Sequence, residues 1–175
     1  MEDIIMLKIY LTNVRKYNEG ILIGEWVKLP YTEEEIEAVK HRIGINEQYE
    51  EWFIADYETD IQGLKIGEYD NIDDLNELAK TLEGLGETEK EAVEAMLEEG
   101  FDFEEAIEKA QNGDYMIYFN CNDMEDVARE YAEETGLLND VPKDLQYYFD
   151  FESLGRDMSF EGQFVFINND CIQIL

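Results

Sequence analysis

Histidine, proline and cysteine are scarce in this chain, at one, two and two of 175 residues. A single histidine, His41, leaves nothing for a histidine-based metal site or a histidine dyad. It falls near the expected end of a helix, where it complements the helix dipole, and it reads as a surface residue. Cys121 and Cys171 lie far apart and form no metal-binding pattern. They read as reduced, buried thiols of a cytosolic protein, a disulfide being the alternative. Serine is confined to Ser153 and Ser159, and neither sits in a serine-hydrolase motif. The phosphate-cradling patterns GxxxxGK[ST] and GxGxxG are absent. No apolar run approaches the roughly 18 residues of a membrane span. Glu2 and Asp3 stand where a secretory signal would be positive. The expectation is a cytoplasmic protein that is not an enzyme and that takes no cofactor or metal.

Basic residues are the scarcest relative to their counterparts. Lysine and arginine number 13 against 44 acids, a formal net charge of −31. The excess is uneven: residues 1–42 hold 8 acids and 6 bases, and residues 43–175 hold 36 and 7. Such a surface repels nucleic acid and attracts proteins whose working surface is basic. Disorder would need low hydrophobicity and few aromatics, whereas 45% of this chain is apolar and 13% aromatic. The plainest account of the acids is a solvated surface. Charge this far from zero nevertheless costs compactness through self-repulsion, which favours a use for it.

The pattern of elements predicts an α+β chain in three parts. Residues 1–63 form a small antiparallel sheet with one helix. Strands are expected over 5–11, 24–30 and 51–57, and a Thr32–Glu35 capping box opens a helix through about Arg42. Residues 64–112 form an acidic helical middle. Its stripes are Ile72, Leu75, Leu78, Ala79 and Leu82; then Ala92, Val93, Met96 and Leu97, opened by Thr88 with Glu91; then Phe103, Ala106, Ile107 and Ala110, opened by Asp102 with Glu105. Residues 113–175 mix types. A strand is expected over 115–119, a helix after Asp123, another from Pro142 through LQYYF, and a short one over 151–156. A terminal hairpin turns at Asn168–Asp170.

Residues 83–108 carry eleven acids and one base, Lys90. On a helix, residues three or four apart are neighbours, so Glu87, Glu91, Glu94 and Glu98 predict a charged ridge without compensating cations. Duplex DNA carries one charge per roughly 1.7 Å, so −31 matches the charge number of about 15 base pairs. A basic DNA channel is therefore one candidate partner. Calcium is a rival, but Asp70–Asp74 and Asn120–Asp123 lack EF-hand spacing and a central glycine and read as turn and cap chemistry. Acids are too abundant for their pairs to select a glycosidase dyad. The aromatic run Tyr147, Tyr148, Phe149 and Phe151 reads first as a helix donating rings to the core, with a self-association surface as the alternative.

Several segments resemble the ArdA antirestriction family of plasmids and conjugative transposons. They are NVRKYNEGILIGEWVKLP, NEQYEEWFIADYE at 46–58, EYDNIDDLNEL at 68–78, and residues 121–160 with the antirestriction motif LLNDVPKDLQYYFD at 137–150 and GRD at 155–157. The resemblance implies an elongated homodimer that mimics duplex DNA and occupies the DNA-binding channel of Type I restriction–modification enzymes. It places Leu137, Leu138, Asp140, Val141, Pro142, Leu145, Tyr148, Phe149 and Asp150 in the motif and dimer region. Candidate mimic acids are Glu87, Glu91, Glu94, Glu98, Asp102, Glu105, Glu108, Glu125, Glu130, Glu133 and Glu134. An acidic cation-binding or general basic-protein-binding protein is the alternative function.

Overall fold

A computed structural model describes residues 7–175. The first two residues of the strand expected over 5–11, and Glu2 and Asp3, lie outside the described residues. The chain is α+β and divides into two compact units, the first ending at Leu85 and the second spanning Gly86–Leu175. The helical middle expected over 64–112 is shared between them, because its first helix packs on the first sheet, its second on the second sheet and its third on the second helix.

In the first unit β1 (Leu7–Asn13) lies between β2 (Gly24–Leu29) and β3 (Trp52–Thr59), antiparallel to both. Alternation decides which face is buried. Leu7, Ile9 and Leu11 are at most 1% exposed, and the register sets Leu29, Val27 and Ile54 beside them. Each such side chain contributes about 1.5–3 kcal/mol of burial. The opposite face carries Lys8, 3.8 Å from Glu58, and Tyr10, 5.3 Å between ring centres from Trp26. The apolar face is covered by α2 (Glu33–Arg42) and α3 (Ile72–Glu83), which pack against β2.

Local chemistry explains the helix starts. The Thr32 hydroxyl accepts from the Glu35 N–H, and the Glu35 carboxylate accepts from the Thr32 N–H at 2.8 Å, the expected capping box. Asn71 caps α3. Two features are not in the stripe pattern. The loop expected after β1 contains a short helix, α1 (Val14–Asn18), capped by Asn13. The Asn13 amide also donates to the Ile43 and Gly44 carbonyls, tying the sheet to the end of α2. Asn76 is buried on α3, accepting from the Tyr31 N–H at 2.6 Å and donating to the Tyr31 carbonyl at 3.1 Å. A buried amide is stable only when paired in this way.

The second unit places β6 (Asp170–Ile174) between β4 (Tyr115–Tyr118) and β5 (Gln163–Ile167), again antiparallel. The hairpin turns on Asn168 and Asn169, both with positive φ (51° and 70°), the conformation that asparagine tolerates. α4 (Glu87–Glu98) packs on α5 (Phe103–Asn112) and against β5 and β6. α6 (Met124–Thr135) packs on α8 (Phe151–Glu161). Tyr118, Cys121, Val127 and Cys171 form a buried cluster, with Met124, Tyr131, Met158 and Phe164 at its margin. Both cysteines are free and buried. Burial pushes the Cys121 thiol up to about 11 and the Cys171 thiol up to about 12.

Three boundaries differ from expectation. The N-cap of α4 is Gly86, not Thr88, because the Glu89 carboxylate accepts from the Gly86 N–H at 2.7 Å and starts the helix two residues earlier. The helix expected through LQYYF is only α7 (Lys143–Gln146). α8 runs to Glu161 rather than stopping near residue 156, and it ends where Gly162 is extended.

Gly155 sets the spacing of α6 and α8. A Cβ there would overlap the Met124 carbonyl. Gly155→Ala is expected to lose about 1–3 kcal/mol as the helices are forced apart, read as a lower urea midpoint.

Candidate acidic interface

The second unit holds 24 acids and 5 bases, a net of −19. Four of those bases are engaged with an acid of the same unit: Lys90 with Glu87 at 3.4 Å, Lys109 with Asp114 at 3.9 Å, Arg129 with Glu125, and Arg156 with Asp157 at 3.3 Å. The acids therefore remain in large excess.

On α4, Glu87 and Glu98 are exposed, whereas Glu91 and Glu94 are half-buried. Glu91 lies where α4 meets the hairpin. Partial burial raises its carboxyl above the ordinary value, Asp170, Glu94 and Glu87 raise it further, and a hydrogen bond with Asn168 opposes them. Although Lys90 pairs with Glu87 at 3.4 Å, a like-charge group of Glu87, Glu91 and Glu94 is present. It is extended by Asp170, a residue that sequence spacing did not select because it lies about eighty positions away. Asp170 accepts from the Asn120 N–H at 2.7 Å, which fixes it at the turn. It also raises the Cys121 thiol, together with Asp126, Glu130 and Asp123. Asp170 therefore acts on Glu91 of α4 and, like the acids near the start of α6, on the Cys121 thiol.

On α5, Asp102 is the N-cap, accepting from the Glu105 N–H at 2.8 Å, and Glu105 and Glu108 are exposed. On α6, Glu125 is tied to Arg129 and Glu130 is half-buried, while Glu133 and Glu134 are exposed in the last turn. Neither α4 nor α6 has a base in its last turn. Acids at a helix C-terminus oppose the dipole and cost a few tenths of a kcal/mol or more each. Glu98, Glu133 and Glu134 are therefore not placed for stability.

Asp70–Asp74 and Asn120–Asp123, the calcium candidates, serve as turn and cap groups. Asp70 accepts from the Gly67 N–H, Asn71 caps α3, and Asp123 accepts from the Asp126 N–H. Among the described residues no group of three or more candidate ligands is arranged to hold a metal ion. No helix among them is long and apolar enough to cross a membrane.

Residues 137–150 follow Gly136, whose left-handed conformation (φ 66°) ends α6. Gln146 holds this loop together: its amide donates to the Leu138 and Val141 carbonyls, both at 2.9 Å. The Val141 N–H also bonds the Leu138 carbonyl. Leu138 and Val141 are half-buried, and Asp140 and Pro142 are exposed. The core reading of the aromatic run fails for its first half. Tyr147 and Tyr148 are 87% and 79% exposed, and Leu145 is 57% exposed. α7 ends before the tyrosines, so no helical stripe turns them inward. Phe149 is half-buried, 4.8 Å from Phe151, whose ring carries the Arg129 guanidinium at 4.4 Å. Asp150 accepts from the Ser153 N–H and hydroxyl, and these bonds hold its carboxyl below the ordinary value.

A family model described as Antirestriction protein (ArdA) matches residues 9–173. The chain belongs to the ArdA family. ArdA proteins act in antirestriction, so this chain's role is against restriction enzymes. Comparison with curated proteins finds no relative that matches the chain. Within this ArdA chain the exposed tyrosines, the Gln146 clasp and the acid-rich α4–α6 surfaces are the features that remain after the cores are accounted for.

The Glu91 environment fixes a sign. A carboxyl raised in the folded state contributes stability below its ordinary value of 4.5 and loses it as pH rises through the folded value. Its charge is a cost at neutral pH. Glu91→Gln is expected to raise stability at pH 7 by a few tenths of a kcal/mol, and the gain should vanish below pH 4.5 in a melting series.

Proposed function

We propose that the acids of α4, α5 and α6 stand in for DNA phosphates and compete for the DNA-binding channel of Type I restriction–modification enzymes. The observation that carries this reading is the charge layout of the second unit. Its acids outnumber its bases 24 to 5, and Asp170 at the hairpin turn adds its charge to that of Glu87, Glu91 and Glu94 on α4. Carboxylates presented this way satisfy arginine and lysine donors much as phosphates do. The acids that oppose the helix dipoles of α4 and α6 support a placement chosen for a partner. The protein acts by occupancy, and it carries out no bond chemistry.

The proposal includes a homodimer. Leu137, Leu145, Tyr147 and Tyr148 expose apolar surface on and beside the motif, and aromatic anchors of this type are enriched in interfaces. A two-fold axis through this region would repeat one charged face.

Displacement of labelled duplex from a methyltransferase core is expected to weaken steeply as salt rises, as DNA binding itself does. A response that stays flat from low to physiological salt overturns the mimicry. Strong binding to basic proteins at large, with no preference for the core, would favour the general basic-protein binder. For assembly, Leu145→Asp with Tyr148→Asp should shift sedimentation from dimer to monomer without altering the circular dichroism spectrum, since both side chains are exposed. An unchanged dimer removes this region from the interface.

A further inference from the structure

The first unit contains a groove of about 360 Å³ beside the outer edge of β3. Trp52 and Phe53 line one part of it, and Glu68, Tyr69, Asp70 and Asp73 line another. The Ile54 N–H donates to the Glu68 carbonyl at 2.9 Å, which fixes the second segment alongside the strand. Tyr17 buttresses Phe53 edge-on at 5.4 Å. Tyr69 is 81% exposed, far more than a core aromatic.

The lining has three carboxylates and no cation. Asp70 commits one oxygen to the Gly67 N–H, and Asp73 commits one to the Tyr31 hydroxyl. No ion pair among the described residues engages Glu68, Asp70 or Asp73. The aromatic part already shows a taste for cations: Lys40 Nζ stands 4.7 Å from the Trp52 ring centre, on the chain's own account. An anionic occupant is repelled here. An apolar occupant would strip water from carboxylates without pairing them.

We infer that this groove receives an arginine side chain from the basic protein surface that the acids face. A guanidinium is planar, stacks on aromatic rings and presents a fork of donors that suits carboxylates. Lysine offers a compact, strongly hydrated charge and matches the site less well. The inference rests on the reading that the partner is a basic protein, and it adds a focused anchor in the first unit to the spread charge of the second.

Two experiments separate the two claims. The first titrates N-acetyl-arginine methylamide, and its lysine counterpart, into the isotope-labelled full chain. The Trp52 indole and Tyr69 amide resonances should shift saturably, with arginine binding tighter than lysine, while the Trp26 indole stays still. Tyr69→Ala and Glu68→Gln should abolish the saturation. Equal, unsaturated shifts spread over the acids overturn the inference. The second experiment measures displacement of duplex from a methyltransferase core. The double variant should compete about tenfold less well, and Glu34→Gln on α2 should change competition less than about twofold. If the double variant competes as well as wild type, the anchor is overturned and the mimicry stands. If wild type does not displace DNA at all, the earlier reading falls together with the partner named here.

Discussion

Mutual repulsion among 31 uncompensated negative charges is the constraint that shapes this protein. Net charge of this size destabilises any compact state, so each unit must offset it with packing. The first unit does so with a three-stranded sheet whose Leu7, Ile9 and Leu11 are nearly inaccessible. The second does so with a sheet packed by α4 and a cluster around Tyr118 and Cys171 that α6 supplies with Val127. In the second unit Gly155 lies so close to the Met124 backbone that a Cβ would not fit there.

Placement of the acids shows where stability was favoured and where it was given up. The first turns of α2, α3, α4, α5 and α6 all carry acids, where the helix dipole welcomes them. α2 and α3 also end in bases. α4 and α6 do not, and they carry glutamates at the unfavourable end. The departure belongs to those two helices and not to the whole second unit, because α5 ends in a base, Lys109. A local rule broken without local compensation is a mark of functional surfaces, and here it is broken on two of the three helices with candidate mimic acids.

Much of the fold was legible because its signals are local. Thr32 with Glu35, Asp102 with Glu105, and the Asn168–Asn169 turn each fix an element within a few residues. The failures have equally specific causes. Thr88 and Glu91 match the capping-box pattern, but Glu89 reaching back to Gly86 competes for the same start and wins. Tyr147 and Tyr148 look like core aromatics only if LQYYF is one helix, and α7 stops at Gln146. Gln146, whose amide bridges two loop carbonyls, and Asn76, which mimics a strand partner for Tyr31, are polar residues with no periodic signature.

Charge, the excess of acids after residue 42, the α+β class and the family membership were all set by the amino-acid order, because each is a property of composition or of neighbours in the chain. Which acids meet was decided only by folding. Asp170 approaches Glu91 because β6 pairs between β4 and β5 and α4 packs across them. The exposure of the tyrosines and the groove beside β3 arise in the same way. They depend on how segments distant in sequence share a surface, and no local pattern encodes that.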